Sequence, residues 1–293
     1  MMELTVKNAL DSGDYRVGNR LNGSETVDHT IDTTFVVPGR FAGKTVIVVG
    51  GAMGIGGGTA QHLGAEGANV FIADWNEEWG KKTAAKIKAA GGKAIYKYTD
   101  INNEADVKAM VDACVAEFGS LDACANIAGL GGEIADTANY PSVAFSRLME
   151  NNVNGIFLSM KYEIAKLLEL GKGGNIVNAA SVGAFVGVRY NTAYITSKHA
   201  IMGLTRTAAA EYAERGIRVN AIGPHVAWTP MVELGLQRFP ELKELTINTI
   251  PMRRVSTIDE VARITLFLLS DECPFLTGQG IVIDGGWTAA SGG

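Results

Sequence analysis

The chain has 293 residues, of which 36 are glycine and only 19% are charged, whereas an average soluble protein has about 7% glycine and 25% charged residues. Its 26 basic and 31 acidic residues give a net charge of -5, which argues against a nucleic-acid partner because nucleic-acid-binding proteins carry a basic surplus. The glycine has no Gly-X-Y repeat and is accompanied by only 7 prolines, so a collagen-like or low-complexity chain is excluded and the glycine must lie at tight turns or close backbone contacts.

Predicted elements follow one another in a regular order after an irregular start. Residues 1–40 are rich in Asp, Asn, Gly, Thr and Ser, which predicts an N-terminal arm that is either mobile or laid over the folded body. From residue 44 onwards, apolar runs alternate with helical patterns. The predicted strands span 45–49, 68–74, 93–100, 121–126, 174–181, 217–224 and 280–286. The predicted helices span 56–66, 77–90, 103–118, 142–170, 192–215 and 258–270, and residues 225–255 are irregular with short helical patterns.

This alternation predicts an α/β fold. Each strand is a continuous apolar run, which is typical of a parallel sheet covered on both faces. No internal repeat and no Pro/Ser-rich linker interrupts residues 41–293. We therefore expect one Rossmann-like, doubly wound domain of about seven parallel strands in three α/β/α layers.

Cysteine content and hydropathy indicate the compartment. The three cysteines are odd in number and lack metal-ligand spacing, which favours free thiols in a reducing environment and no metal site. The N-terminus has no apolar stretch of the signal-peptide kind, and no run approaches the ~20 apolar residues of a membrane span. We expect a cytoplasmic protein without a membrane partner.

A glycine-rich string follows the first predicted strand directly and opens the first helix. Glycine suits a tight turn whose backbone N–H groups approach a pyrophosphate, and the helix N-terminus there favours anions. In this context the string predicts a dinucleotide site. Its candidate cofactor-binding residues are Gly50, Met53, Gly54, Ile55 and Gly56.

Asp74 ends the second strand, 18 residues beyond Gly56. An acidic side chain at this position accepts hydrogen bonds from the adenosine ribose hydroxyls and repels a 2′-phosphate. The residue after it is Trp75, also a candidate cofactor contact, and not an arginine. The pattern favours NAD over NADP, and the alternative is that Asp74 merely caps the helix that begins near Asn76.

The candidate catalytic residues lie after the fifth strand. Tyr194 and Lys198 are four residues apart, which places both on one face of a helix. Ser181, at the end of the fifth strand, precedes Tyr194 by 13 residues. With these residues the chain resembles the short-chain dehydrogenase/reductase family, in its single-domain, NAD(P)-dependent branch.

The resemblance covers about residues 41–290 and includes further motifs in the expected order. They are Asp100-Ile101, Asn126-Ile127-Ala128-Gly129, Asn152-Val153-Asn154-Gly155, Arg218-Val219-Asn220 before Pro224, Thr229-Pro230-Met231, Thr277-Gly278 and Asp284-Gly285-Gly286. So many motif matches in the family's order are not explained by coincidence.

The resemblance implies roles for these residues. Tyr194 is the general acid/base, and Ser181 donates a hydrogen bond to the reacting oxygen. Lys198, together with the positive charge of oxidised nicotinamide, lowers the pKa of the Tyr194 phenol, and it also binds the nicotinamide ribose. Asn152 is the fourth catalytic residue and belongs to a proton relay. The remaining implied cofactor contacts are Asp100, Ile101, Asn126, Ala128, Gly129, Pro224, Val226 and Thr229. For Asn126 and Asn152, the alternative is a purely structural role in tying strands and helices together.

Four features depart from the family pattern. Val49 replaces a threonine before the turn, Ile127 replaces the second asparagine of the usual pair, and His225 replaces the glycine after Pro224. His225 is expected either to shape the substrate pocket or to face solvent. The arm, 1–40, is the largest departure, because family members begin near Lys44.

The stretch 225–255 occupies the place of the family's substrate lid and is rich in apolar residues. An apolar lid suits a secondary alcohol or ketone on a hydrophobic ring, such as a steroid or bile acid, a polyphenolic ring ketone or a cyclic alcohol. The alternative is that this surface packs on the body or on a neighbouring subunit. The resemblance also implies a homotetramer, or a dimer.

Three other functions compete with that of an NAD-dependent alcohol dehydrogenase/ketone reductase. An NADP-dependent ketone reductase would contradict the interpretation of Asp74. A non-catalytic nucleotide-binding regulator predicts loss of Ser181, Tyr194 or Lys198, and all three are present. An epimerase or dehydratase usually has a longer C-terminal domain, whereas this chain ends seven residues after Gly286.

Overall fold

A single parallel sheet organises the protein. The computed structural model describes residues 31–229, 232–233 and 241–290, and within these ranges seven strands lie in the order β3-β2-β1-β4-β5-β6-β7. Every neighbouring pair is parallel. The strands are β1 Thr45–Val49, β2 Asn69–Asp74, β3 Lys93–Tyr98, β4 Ala123–Asn126, β5 Gly174–Ala179, β6 Ile217–Pro224 and β7 Gly280–Ile283.

Helices cover both faces of this sheet. They are α1 Gly54–Ala65, α2 Glu77–Ala89, α3 Glu104–Phe118, α4 Ser142–Met149, α5 Gly155–Leu170, α6 Thr192–Tyr212, α7 Glu241–Thr249 and α8 Ile258–Leu269. Buried side chains of α3, α5 and α6 form one core with alternate strand residues such as Ile47. Those of α1, α2 and α8 form the other core with Val46 and Val48. The predicted Rossmann-like, three-layer fold is confirmed.

The strand order places the candidate site. It reverses direction between β1 and β4, and ligands of doubly wound sheets bind where such a reversal opens a crevice at the carboxyl ends of the strands. The segments that follow β1, β2, β4, β5 and β6 all begin at this edge. These segments contain the residues that the sequence singles out.

The long helix predicted over 142–170 is wrong in one respect. It is divided into α4 and α5 by a π-helical turn, Glu150–Asn154. Single π-turns frequently occur at functional sites, and this one carries Asn152, whose side chain bonds to the backbone of Leu130. The last strand also ends earlier than predicted, because Gly285 and Gly286 have φ angles of 61° and 91° and turn the chain away.

Part of the arm can be described. Residues 1–30 lie outside the described residues, but residues 32–40 lie against the body. The backbone N–H of Asp32 donates to the Asp259 carboxylate at 3.2 Å, and the guanidinium of Arg263 lies 4.0 Å from the Phe35 ring centroid. Arg40 donates to both carboxylate oxygens of Glu66, at 2.6 and 2.9 Å. These contacts fix the base of the arm on α1 and α8.

The remaining organisational predictions are tested only in part. Within the predicted lid, 225–255, residues 230–231 and 234–240 lie outside the described ranges, whereas α7 is described. In the part of the chain that the structure covers, no helix has the length and apolar character needed to cross a bilayer. All three cysteines are free and buried. The cytoplasmic location and the lid stay predictions.

Candidate active site

The turn after β1 has the form of an anion cradle. Gly50 has a φ angle of +76°, and a Cβ atom on Gly56 would lie 2.0 Å from the Gly50 carbonyl oxygen. Helix α1 begins at Gly54, and Met53 before it provides no side-chain cap. The first N–H groups of α1 are therefore left for an external acceptor, and a helix N-terminus with this arrangement favours a phosphate. Only glycine permits so close a turn.

Asp74 lies beside this cradle at the end of β2. Its carboxylate accepts hydrogen bonds from the backbone N–H of Ala52 at 3.0 Å and of Asn76 at 2.8 Å. Burial raises the pKa of Asp74, and these hydrogen bonds oppose that increase. The cap of α2 is Asn76, which accepts from the Trp79 N–H, so the alternative of Asp74 as the helix cap is wrong. Trp75 is about half exposed, at 52%.

The segments after β3 and β4 complete this half of the crevice. Ile101, which follows Asp100 after β3, is 7% exposed and packs against Gly155. After β4, the N–H groups of Ile127 and Ala128 both donate to the Val49 carbonyl. A Cβ atom on Gly50 would lie 2.6 Å from the Ala128 nitrogen. The loop after Asn126 therefore packs directly on the glycine-rich turn.

Ser181, Tyr194 and Lys198 lie together at the end of β5 and on α6. Ser181 forms a side-chain hydrogen bond with Tyr194, and its hydroxyl donates to the Pro224 carbonyl at 3.4 Å. The Lys198 ammonium lies 5.4 Å from the Tyr194 ring centroid and donates to the Ala179 carbonyl at 2.8 Å. The structure thus brings together the hydroxyl, phenol and ammonium groups to which the resemblance assigns proton exchange.

Burial changes the pKa values of both Lys198 and Tyr194. Burial lowers the pKa of Lys198 to about 8. Burial also raises the pKa of the Tyr194 phenol, although the side-chain hydrogen bond between Tyr194 and Ser181 opposes this effect. The lowering that the resemblance implies depends on oxidised nicotinamide as well as on Lys198, and it stays a prediction.

Asn152 ties this group to the loop after β4. Its amide donates to the Leu130 carbonyl at 2.9 Å and its side-chain oxygen accepts from the Leu130 N–H at 2.8 Å. The same amide lies 3.3 Å from the Ser197 hydroxyl, which donates to the Tyr194 carbonyl. Leu130, Ser197 and Ala179 were not predicted from the sequence. Leu130 and Ala179 act through backbone atoms, which no motif reveals, whereas the position of Ser197 between Tyr194 and Lys198 was a usable signal.

The segment after β6 lies on the other side of the crevice. Thr229 is 8% exposed, and its methyl carbon lies 3.6 Å from the place a Cβ atom of Gly54 would occupy. The Val226 carbonyl accepts from the Ser256 N–H. His225 stacks on Trp287 with ring centroids 4.7 Å apart, and burial lowers the pKa of its imidazole. His225 is half-buried, and its role in shaping the substrate pocket stays a prediction.

Comparison with known proteins identifies the family. A family model described as enoyl-(acyl carrier protein) reductase matches residues 50–288. The chain is 44% identical to a 2,5-dichloro-2,5-cyclohexadiene-1,4-diol dehydrogenase of Sphingobium indicum, over 85% of this chain and 98% of that protein. It belongs to the short-chain dehydrogenase/reductase family. The resemblance stated from the motifs is confirmed.

Other short-chain dehydrogenases/reductases extend the similarity. A cyclohexanol dehydrogenase of an Acinetobacter species is 35% identical, over 87% of this chain and 98% of that protein. The crystal structure of a levodione reductase superposes with a TM-score of 0.82 at 33% identity, covering 86% of this chain and all of that one. Proteins of this family use nicotinamide cofactors. The glycine cradle, with its uncapped helix and a neighbouring carboxylate, fits the pyrophosphate and ribose of such a cofactor.

Proposed function

We propose that this short-chain dehydrogenase/reductase uses NAD to oxidise a secondary alcohol on a hydrophobic ring, and catalyses the reverse reduction of the ring ketone. The observation that carries the proposal is the juxtaposition of Ser181, Tyr194 and Lys198 beside the glycine cradle. A regulator without catalysis has no need for these three groups in one place. The catalytic and cofactor-binding roles below are part of the proposal.

The proposed chemistry assigns one task to each side chain. A nicotinamide bound at the glycine cradle would supply the hydride acceptor for the carbinol carbon, or the hydride donor in the reverse direction. The Tyr194 phenolate takes the hydroxyl proton as the carbonyl forms, and the Ser181 hydroxyl orients the reacting oxygen. A free phenol has a pKa of about 10, so ionisation near pH 7 requires about 4 kcal/mol of stabilisation. The Lys198 ammonium and the positive charge that oxidised nicotinamide brings supply it together.

Lys198 and Asn152 form the route for the released proton. The Lys198 ammonium is held at the end of β5 by the Ala179 carbonyl. With a pKa lowered to about 8 by burial, this group can release and regain a proton near neutrality. Asn152, on the π-helical turn, fixes the loop that faces Lys198 through Leu130.

Asp74 supports NAD as the cofactor. Its carboxylate is fixed at the end of β2 by the Ala52 and Asn76 N–H groups. A 2′-phosphate would meet this carboxylate as a like charge, which is unfavourable in a desolvated site. The two ribose hydroxyls of NAD instead match an acceptor.

A ring-shaped substrate is supported by the relatives. Their names specify a cyclohexadiene diol, cyclohexanol and levodione as substrates. In this chain the His225–Trp287 stack lies next to Pro224, whose carbonyl accepts from Ser181. A flat apolar wall at this position suits a ring better than a flexible chain. We also propose a homotetramer, supported by the exposed apolar side chains Val143 on α4 and Phe157 on α5.

The test is a comparison of cofactors and alcohols with purified protein. Formation of reduced cofactor is measured with NAD or NADP and with cyclohexanol, a cyclohexadiene diol or the acyclic control 2-hexanol. We expect turnover of the ring alcohols, and kcat/KM at least ~10-fold higher with NAD, equivalent to about 1.4 kcal/mol of discrimination. A preference for NADP overturns the role of Asp74. Binding of NADH without turnover of any alcohol would favour the non-catalytic regulator.

A further inference from the structure

A buried acidic residue lies behind the cofactor-binding loop. Glu163, on α5, is 0% exposed. Its Oε2 atom accepts from the Asn126 amide at 3.0 Å, and it also forms a hydrogen bond with the Cys124 thiol. A carboxyl group is rarely placed in a core without a partner of opposite charge. Both of these partners are neutral groups, so an ion pair with either of them does not explain why Glu163 is buried.

The hydrogen bonds around Glu163 indicate the protonation state of its carboxyl group. The Asn126 amide donates to Glu163 and to Asn178 Oδ1, both at 3.0 Å, and the Asn178 amide donates to the Thr205 hydroxyl at 3.0 Å. Glu163 Oε1 and Asn126 Oδ1 are buried acceptors without a donor among the residues that the structure describes. An ionised carboxylate offers acceptors only, whereas the protonated acid has one O–H donor. A neutral Glu163 thus adds one O–H donor to a cluster in which two buried acceptors have none.

The electrostatic surroundings of Glu163 also favour the neutral carboxyl. Burial raises the pKa of Glu163 to about 7, although its hydrogen bonds with Asn126 and Cys124 oppose the increase. The groups that face Glu163 are Cys124 on β4 and Cys114 on α3. Burial raises the pKa of both thiols, so both are neutral near pH 7.

Asn126 connects this buried acid to the site. It is the last residue of β4, in register with Val49 on one side and Asn178 on the other. The loop that follows packs on Gly50 through Ala128. A Cβ atom on Gly129, in the same loop, would lie 3.4 Å from the Lys198 ammonium nitrogen. A displacement of Asn126 would therefore move the loop that contacts both Lys198 and the proposed cofactor site.

We propose that Glu163 is a positioning residue: a neutral buried acid that holds Asn126 and, through it, the cofactor-binding loop 126–130. The inference rests on the proposed function, because the loop is taken to bind the cofactor. Glu163 touches neither substrate nor cofactor in this role. Its effect is transmitted by the strand end that it fixes.

Three substitutions and a matched control test the proposal. Glu163→Gln keeps one acceptor and adds the donor of the neutral acid. Glu163→Leu removes both at similar volume, and Glu163→Asp retracts the carboxyl by one methylene, which provides a test should the leucine variant not fold. Leu167→Ala, one turn further along α5 and fully buried, is the control for general destabilisation.

The readouts are the Kd of NADH, measured by fluorescence titration, and kcat for a ring alcohol. Leaving one N–H of the buried Asn126 amide unpaired costs about 1–3 kcal/mol. We therefore expect the leucine and aspartate variants to bind NADH about 10-fold more weakly and to have lower kcat. For the glutamine variant and Leu167→Ala, the Kd of NADH should stay within about 2-fold of the wild-type value. This change is well below the loss of affinity expected from one unpaired buried group.

The contradicting results are distinct from failure of the proposed function. Weak binding by Glu163→Gln, unchanged binding by both Glu163→Leu and Glu163→Asp, or equally weak binding by Leu167→Ala would each overturn the positioning role. A wild-type protein that binds no NADH would instead overturn the proposed function.

Discussion

Replacement of Glu163 by glutamine is expected to remove a specific pH dependence from the free energy of unfolding. The pKa of this carboxyl is 4.5 in its ordinary state and about 7 in the folded protein, where burial disfavours the charged form. Between these two values the folded state binds more protons than the unfolded state, so stability falls as pH rises. At about 1.4 kcal/mol for each tenfold change in proton affinity, the loss amounts to about 3 kcal/mol.

The assay is urea unfolding of wild type and Glu163→Gln at several pH values from about 4 to about 8. Because glutamine does not titrate, the variant should gain stability relative to wild type as pH rises from about 4.5 to about 7, by about 3 kcal/mol in all. The matched control is Glu169→Gln, which changes an exposed carboxyl on the same helix. A difference between wild type and Glu163→Gln that does not change with pH, or that changes in the opposite direction, would refute the reasoning.

Two further predictions concern the cofactor cradle. In Gly56→Ala the new methyl would lie 2.0 Å from the Gly50 carbonyl oxygen, and forced overpacking costs about 1–3 kcal/mol, so NADH should bind about 10-fold more weakly in a titration. The control Gly203→Ala, which has open space around it, should bind NADH as wild type does. Binding of NADH by Gly56→Ala with the wild-type Kd would contradict the role of the cradle. Asp74→Ala should raise kcat/KM with NADP relative to NAD, because it removes the like charge that faces a 2′-phosphate; an unchanged ratio would contradict the role of Asp74.

The sequence predicted the sheet well because burial on both faces leaves a clear pattern. The run 45–49 is apolar throughout apart from its first residue, and β1 spans the same residues with all five side chains buried. Strand ends were less predictable. The predicted strand 280–286 ends with Gly285 and Gly286, and only the positive φ angles of these two residues show that the chain turns there.

The site was predictable where function depends on side chains and obscure where it depends on backbone or burial. The Tyr194–Lys198 spacing and the glycine-rich string are visible in the sequence. The π-helical turn at Asn152 has no compositional signature, because its residues also suit an α-helix. Glu163 was missed because one acidic residue in a helical pattern is usually taken as solvent-exposed. Its spacing of four residues from buried Ser159 and Leu167 was the available signal.

The most direct test of the central claim compares wild type with Tyr194→Phe. Loss of the phenol oxygen removes the proposed general acid/base and leaves the cradle intact. We expect NADH to bind both proteins with similar Kd, and turnover of a ring alcohol with NAD to fall at least ~10²-fold in the variant, the usual contribution of such a group. Turnover by Tyr194→Phe close to that of wild type would contradict the account.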